Sequence, residues 1–319
     1  MISAATTLPT VSGSSRRTPR HIKRLRTHIP SSFTIPLSSR CRFPIPNSHR
    51  NLVLSMSLPL SSTDPITGMA DEEQLESSHT GSVGNEDLLI IGPGVLGRII
   101  AEKWKQAHPN CQVSGQTMTT DHHDELINAG IIPSLRGTKI NQFPYVVFCA
   151  PPSRSEDYVA EIRLAASNWN GEGSFIFTSS SGVFDCNDNG LCNEDSSTVP
   201  LGRSDRIDRI IKAENMVLEA GGCVLRLAGL YQMERGAHYF WLKKGLVEQR
   251  PDHIINMIHY EDAASLAIAI LKKQLHGRIF LGCDNLPLSR QEIMDYVDQS
   301  GKFSMKFQSF TGTSGPLGK

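Results

Sequence analysis

Acidic residues are missing altogether from the first 63 positions of this 319-residue chain. The same stretch carries nine basic residues (Arg16, Arg17, Arg20, Lys23, Arg24, Arg26, Arg40, Arg42 and Arg50) among 13 serines, seven threonines and seven prolines. The whole chain balances at 32 Lys+Arg against 32 Asp+Glu, so the rest holds 23 basic and 32 acidic residues, a balance of −9. An acid-free, basic, hydroxyl-rich start is the composition of an organelle transit peptide. No apolar core of roughly 7–15 residues follows the first basic cluster, which argues against a secretory signal. The uncharged first 13 residues and the Ser/Thr/Pro richness favour the chloroplast, with a stromal destination and cleavage between Arg40 and Met69. The alternative is a disordered basic tail able to touch nucleic acid.

Long apolar runs are also lacking. The longest, 145–152 and 263–271, fall far short of the ~20 residues a spanning helix needs, so no conventional membrane-spanning protein is expected. Cysteines are few, seven in all, and no C-x-x-C pair occurs, so neither a zinc site nor a thioredoxin-type motif nor a disulfide framework is indicated. Cys41 lies in the leader; Cys111, Cys149, Cys223 and Cys283 fall in or beside strand-like runs and read as small core residues. Cys186 and Cys192 share one polar loop, where a redox pair is the lesser reading. No metal site is expected.

What is present is enough apolar material, 39% of the chain, for a core. Residues 64–86 are Ser/Glu/Gly-rich without periodicity and read as a linker. No internal repeat is apparent. From residue 88, short continuous apolar runs alternate with helical patterns. Strands are expected at 88–91, 112–115 (weak), 145–150, 174–178 and 223–227, and helices over 94–108, 121–129 (with Asp121 as N-cap), 158–169 and 203–220. Continuous rather than alternating apolar strands are covered on both faces, and strands alternating with helices build a parallel sheet.

The strongest motif is Gly92-Pro93-Gly94-Val95-Leu96-Gly97, a G-x-G-x-x-G that follows an apolar strand and opens an amphipathic helix. Gly92 would permit the tight turn, Gly94 let the backbone approach a pyrophosphate, and Gly97 let helix and strand pack closely. The pyrophosphate would sit on free N–H groups at the helix start, which includes Val95 and Leu96. A glycine turn kept for packing, or a site for an adenosyl cofactor, is the lesser reading. NAD sites place an acid about 20 residues on, at the end of the second strand. Here the stretch is Gly115-Gln116-Thr117-Met118-Thr119-Thr120, with no carboxylate before Asp121. Thr117 and Thr119 could donate to a 2′-phosphate, with His122 or His123 close by, but no arginine stands in the stretch to clamp it. NADP is therefore favoured over NAD.

Four ordered stretches extend this reading. They are Ser179-Ser180-Ser181-Gly182-Val183-Phe184-Asp185, Leu225-Arg226-Leu227-Ala228-Gly229-Leu230-Tyr231, Ile258-His259-Tyr260-Glu261-Asp262-Ala263-Ala264, and the capping box Ser289-Arg290-Gln291-Glu292. With them the chain resembles an atypical extended short-chain dehydrogenase/reductase of the NAD-dependent epimerase/dehydratase superfamily, from about 88 to about 300. The resemblance implies an α/β fold, a doubly wound, mostly parallel Rossmann sheet with a small C-terminal substrate lobe (about 230–308) inside a domain spanning 87–308. It also implies that Ala150, Pro151 and Ser179 line the cofactor, that Ser180 occupies the catalytic serine position, and that Tyr231 lies near the nicotinamide end.

The chain departs from the family at the catalytic Y-x-x-x-K. Aligning Ala213-Glu214 with the family's A-E places Arg206 at the tyrosine position and Ile210 at the lysine position. One Y-x-x-x-K exists, Tyr239 to Lys243, but after the sixth strand; it reads as a helix of the substrate lobe, with a relocated acid/base as the lesser reading. His259 is expected to be structural at a helix start and His238 to lie on the surface. Residues 309–319 read as a flexible tail.

Two function classes remain. One is a plastid NADP-dependent oxidoreductase or epimerase-type enzyme on a small polar metabolite. The other is a non-catalytic NADP(H)-binding redox sensor or scaffold, motivated by the absent Tyr–Lys pair. The −9 balance beyond the leader argues against strong nucleic-acid binding. Oligomeric state is not readable.

Overall fold

The computed structural model describes residues 82–318; the expected transit peptide (1–63) and most of the expected linker (64–86) lie outside the described residues. In chain order the elements are β1 (Leu88–Ile91), α1 (Val95–Ala107), β2 (Val113–Thr117), α2 (His123–Asn128), β3 (Ile132–Leu135), β4 (Phe143–Phe148), α3 (Tyr158–Ser167), β5 (Trp169–Ser180), α4 (Asp205–Glu219), β6 (Cys223–Leu227), β7 (Gly229–Tyr231), α5 (Ala237–Lys244), β8 (Leu246–Val247), β9 (Ile254–Ile255), β10 (Met257–His259), α6 (Tyr260–Lys272), β11 (Ile279–Gly282), β12 (Leu288–Ser289), α7 (Arg290–Gln299) and β13 (Ser309–Phe310).

Seven strands form one parallel sheet in the order β11-β6-β5-β4-β1-β2-β3. The fold is the doubly wound α/β class. β1 (Leu-Leu-Ile-Ile) and β4 are buried along their whole length, as strands covered on both faces must be. Side chains alternate between the two faces. Leu88, Ile90 and Val147 join the cluster under α1 and α6; Leu89, Ile91, Val146 and Phe148 join the cluster under α3 and α4. The chain order reverses between β1 and β4, and the carboxyl ends of those strands open a crevice there.

Several elements differ from their sequence expectations. β3 was not expected: it is an edge strand containing Pro133, with both end residues exposed, so it needs no apolar run. α2 starts at His123 and carries no side-chain cap; Asp121 instead accepts a hydrogen bond from the Thr119 hydroxyl (2.9 Å). The organised chain begins before residue 87, because the indole N–H of the buried Trp104 donates to the Glu86 carbonyl (2.8 Å) and Val83 packs on the core.

The small lobe is not one continuous segment. α5, β8 and α7 gather around Trp241, Leu242, Val247, Ile293 and Met294, whereas α6 and β11 return to the main layer. The tail expected to be loose instead pairs: β13 adds to β8, Phe310 packs edge-on against Trp241 (5.3 Å), and Leu317 N–H donates to the Asn187 carbonyl (3.0 Å).

The capping box at α7 is closed in both directions. Glu292 N–H donates to Ser289 Oγ (3.2 Å) and Ser289 N–H donates to Glu292 Oε2 (2.7 Å). These bonds hold the Glu292 carboxyl below its usual range. Ser289→Ala should therefore lower stability by about 1 kcal/mol, read as a lower urea midpoint at unchanged slope. Because the folded Glu292 value is the depressed one, the separate contribution of its carboxylate, held mainly by the Ser289 N–H, is present above the ordinary carboxylate range and is lost as pH falls through the folded value.

Candidate functional site

The turn between β1 and α1 is built by steric exclusion. Gly92 has φ +79°, and a Cβ there would lie 2.8 Å from Ala150 Cα at the end of β4. A Cβ on Gly97 would lie 3.0 Å from Ile90 Cγ2, so the helix packs directly on its own strand. Gly94 is different: its φ of −77° suits any residue, and a Cβ there would meet nothing within 4 Å. Its missing side chain leaves open space above the helix start. α1 has no side-chain cap, so its first N–H groups have no acceptor from a capping side chain. A cleft of about 790 Å³ runs from this turn across the carboxyl ends of the strands. Gly92, Gly94, Val95, Leu96, Gly97, Thr117, Thr119, Ala150, Pro151, Ser179 and Ser180 all line it.

The two threonines at the end of β2 are already committed to their own loop. Thr117 Oγ1 donates to the Thr119 carbonyl (2.8 Å) and lies 2.7 Å from His123 Nε2; Thr119 donates to Asp121. Neither hydroxyl proton is free to reach a phosphate in this arrangement. The sequence stretch contains no arginine, but the fold supplies two. Arg98, one residue beyond the glycine turn, and Arg136, after β3, both line the cleft. Arg98 pairs with Glu125 (2.7 Å), which also holds His122 (3.1 Å). Arg136 donates its backbone N–H to the Thr117 carbonyl (2.8 Å) and pairs with Glu161.

At the β5 end, a buried ion pair sets the geometry. Glu214 of α4 and Arg226 of β6 meet at 2.7 Å, each almost fully buried, and Ser179 Oγ donates to the same carboxylate (2.5 Å). Ser179 is thus oriented by α4. Ser180 Oγ accepts from the Gly182 N–H (3.1 Å), leaving its own proton to be given elsewhere. Tyr158 also lines the cleft, but its hydroxyl donates to the Ala150 carbonyl (2.7 Å) and burial pushes its pKa above the usual phenol range. Desolvation likewise pushes the Cys149 thiol up to about 12, against a weaker hydrogen bond from Thr178, so this cleft cysteine is a neutral thiol at physiological pH.

Helix α4 turns Arg206 and Ile210 towards the cleft. These are the positions at which the family resemblance places tyrosine and lysine. Tyr239 and Lys243 lie on α5 and do not line the cleft: the ammonium sits 4.4 Å from its own tyrosine's ring centroid, and that ring packs against Phe303. Tyr231 does not line it either. Its hydroxyl donates to Asp284 (2.9 Å), and burial together with that carboxylate pushes its pKa to about 12. His259 caps α6 by accepting the Glu261 N–H (3.2 Å). His238, expected at the surface, is buried, and its Nε2–H donates to the Met233 carbonyl (3.0 Å).

A further lining residue stands in one of the four ordered stretches but is not among the expected site residues. Tyr260, the first residue of α6, is buried at the cleft wall beside Leu227, Ala228 and Gly229. Its phenol oxygen accepts a hydrogen bond from Arg235 Nε (2.9 Å). Among the described residues no three His, Cys, Asp or Glu side chains are grouped to hold a metal, and no helix is long and apolar enough to cross a membrane.

No protein-family model and no curated protein sequence matches this chain. Solved structures do. A functionally unknown conserved protein from Silicibacter pomeroyi is 20% identical, with 71% of this chain and 81% of that one covered at a TM-score of 0.59. The dTDP-glucose 4,6-dehydratase of Bacillus anthracis, solved with NAD, is 12% identical, covering 73% and 86% at 0.58. The UDP-glucuronic acid 4-epimerase of Bacillus cereus, solved with UDP-glucuronic acid and NAD, is 16% identical, covering 73% and 88% at 0.57. The chain has the Rossmann fold shared by these epimerase and dehydratase structures.

Removing one partner of the Glu214–Arg226 pair would strand a charge in the interior. Arg226→Ala should cost about 3–5 kcal/mol, whereas an exposed Arg203→Ala should change the urea midpoint little.

Proposed function

We propose that the chain is a nicotinamide-dinucleotide-dependent oxidoreductase or epimerase-type enzyme acting on a small polar metabolite, with NADP preferred over NAD. The observation that carries this reading is the open space at Gly94, above unbonded helix N–H groups and at the point where the strand order reverses. The residues present fit such a cofactor. Gly92, Gly94, Val95, Leu96 and Gly97 would hold the pyrophosphate on backbone, while Ala150 and Pro151 form a wall that Tyr158 fixes through the Ala150 carbonyl.

The preference for NADP rests on charge. No carboxylate lines the cleft at the end of β2, and Arg98 and Arg136 stand there in its place. They, rather than the committed Thr117 and Thr119 hydroxyls, would grip a 2′-phosphate.

When bound, the nicotinamide supplies hydride transfer. The chain's own part is to orient a substrate oxygen and handle its proton. Ser180 and Tyr260 are the cleft hydroxyls whose oxygens accept from the protein and whose protons have no acceptor among the described residues. Tyr260 is the proton donor in this reading, with the Arg235 guanidinium fixed beside the oxygen that becomes negative as the proton leaves. Two features support catalysis over a sensor role: these placed hydroxyls, and the enzymes among the solved structures of the same fold. The acid-free composition of residues 1–63 supports import into the chloroplast stroma.

Calorimetric titration tests the cofactor. NADPH should bind, and Gly94→Val should fold normally yet bind at least about 100-fold more weakly, the loss of about two charge-assisted hydrogen bonds. Arg98→Gln should weaken NADPH by about tenfold while leaving NADH nearly unchanged. In a metabolite screen that yields turnover, Tyr260→Phe should keep NADPH affinity and lose at least about 100-fold in rate. NADPH and NADH both failing to bind would remove the cofactor, and tight binding with no turnover on any metabolite would remove the enzyme.

A further inference from the structure

The dinucleotide leaves part of the cleft's charge unanswered. Five arginines line it, Arg98, Arg136, Arg154, Arg206 and Arg235, and no Asp or Glu does. This lining belongs to a chain with a −9 balance beyond its first 63 residues. Arg98 and Arg136 are paired with carboxylates at the β2–β3 end. The other three have no carboxylate partner among the described residues, and they stand in the turn after β4, on α4 and in the loop after β7. Arg235 gives Nε to Tyr260, which fixes the side chain and leaves its terminal N–H groups unused. Arg206 stands on the first turn of α4, with Ile210 one turn on as an apolar wall.

We infer that the second ligand of the cleft is a small polyanion, carrying phosphate or carboxylate groups, gripped by Arg206 and Arg235. The inference rests on the cofactor reading above and names the class of molecule that shares its site. Guanidinium groups bind carboxylate and phosphate through paired N–H donors, and a cleft lined by one sign of charge concentrates its counter-ion. Arg235 then serves two oxygens: Nε holds the Tyr260 phenol, and the remaining N–H groups hold the anion. The anion would therefore be anchored beside the proposed proton donor. At neutral pH a phosphate monoester carries a charge near −2 and offers three acceptor oxygens, a match for two or three arginines.

The test uses the protein saturated with NADPH, titrated calorimetrically with inorganic pyrophosphate and, separately, with citrate, at constant ionic strength. At least one should bind in the millimolar range or tighter; the arm that binds better distinguishes phosphate from carboxylate. The double variant Arg206→Gln/Arg235→Gln should weaken that binding by at least about tenfold, with NADPH affinity within about twofold of wild type. Arg203→Gln, an exposed arginine outside the cleft, should leave anion binding unchanged. If neither anion binds the wild type, or if the double variant binds them equally well, the inference is overturned. Failure of NADPH to bind strikes the cofactor reading instead. The same titration on dinucleotide-free Gly94→Val, whose side chain fills the diphosphate cradle, then still reads Arg206 and Arg235 alone.

Discussion

A stretch of bare backbone between β1 and α1 is the constraint on which the rest of the structure depends. Gly92 must be glycine because β4 runs so close that Ala150 occupies the space of a side chain. Gly97 must be small because Ile90 leaves no room between helix and strand. These two contacts draw β1, α1 and β4 into one rigid corner. Gly94 alone faces open space, so the corner presents peptide N–H groups to whatever enters. Its position between β1 and β4, where the helices switch from one face of the sheet to the other, makes the corner the natural floor of a ligand crevice.

The other end of the crevice is held by charge inside the protein. Glu214 and Arg226 tie α4 to β6 and take the Ser179 hydroxyl as a third member. A buried pair of this kind contributes little net stability against an apolar replacement, since both ions lose their hydration. Its evident effect here is positional: it ties the middle of α4, one turn beyond Ile210, to the ends of β5 and β6, on the helix whose Arg206 and Ile210 line the cleft.

The sheet was largely legible in the sequence because its central strands are continuous apolar runs with no competing period. β1 and β6 fall where their runs place them, and β4 lies within two residues of its run. The glycine turn and the α7 capping box were legible because each is a local arrangement of a few residues. β3 was not, since an edge strand with a proline carries little apolar signal. The charge around the β2 end is not legible locally, because Arg98 and Arg136 arrive from α1 and from beyond β3, a meeting that only the fold creates. Tyr260 carries no local signal of its own, because the paired strands β7 and β10 decide which hydroxyl meets the cleft and which is buried against Asp284. The tail's pairing with β8 depends on contacts far away in sequence and left no local pattern.

The central claim is that a diphosphate rests on the backbone N–H groups that open α1. Amide nuclear magnetic resonance of the folded protein, recorded as NADP is added, tests it most directly. The account predicts saturable shifts of the Gly94, Val95, Leu96 and Gly97 amide signals, large against those of the α7 lobe. Unmoved signals at these four positions, while the dinucleotide binds elsewhere or fails to bind at millimolar concentration, would contradict it.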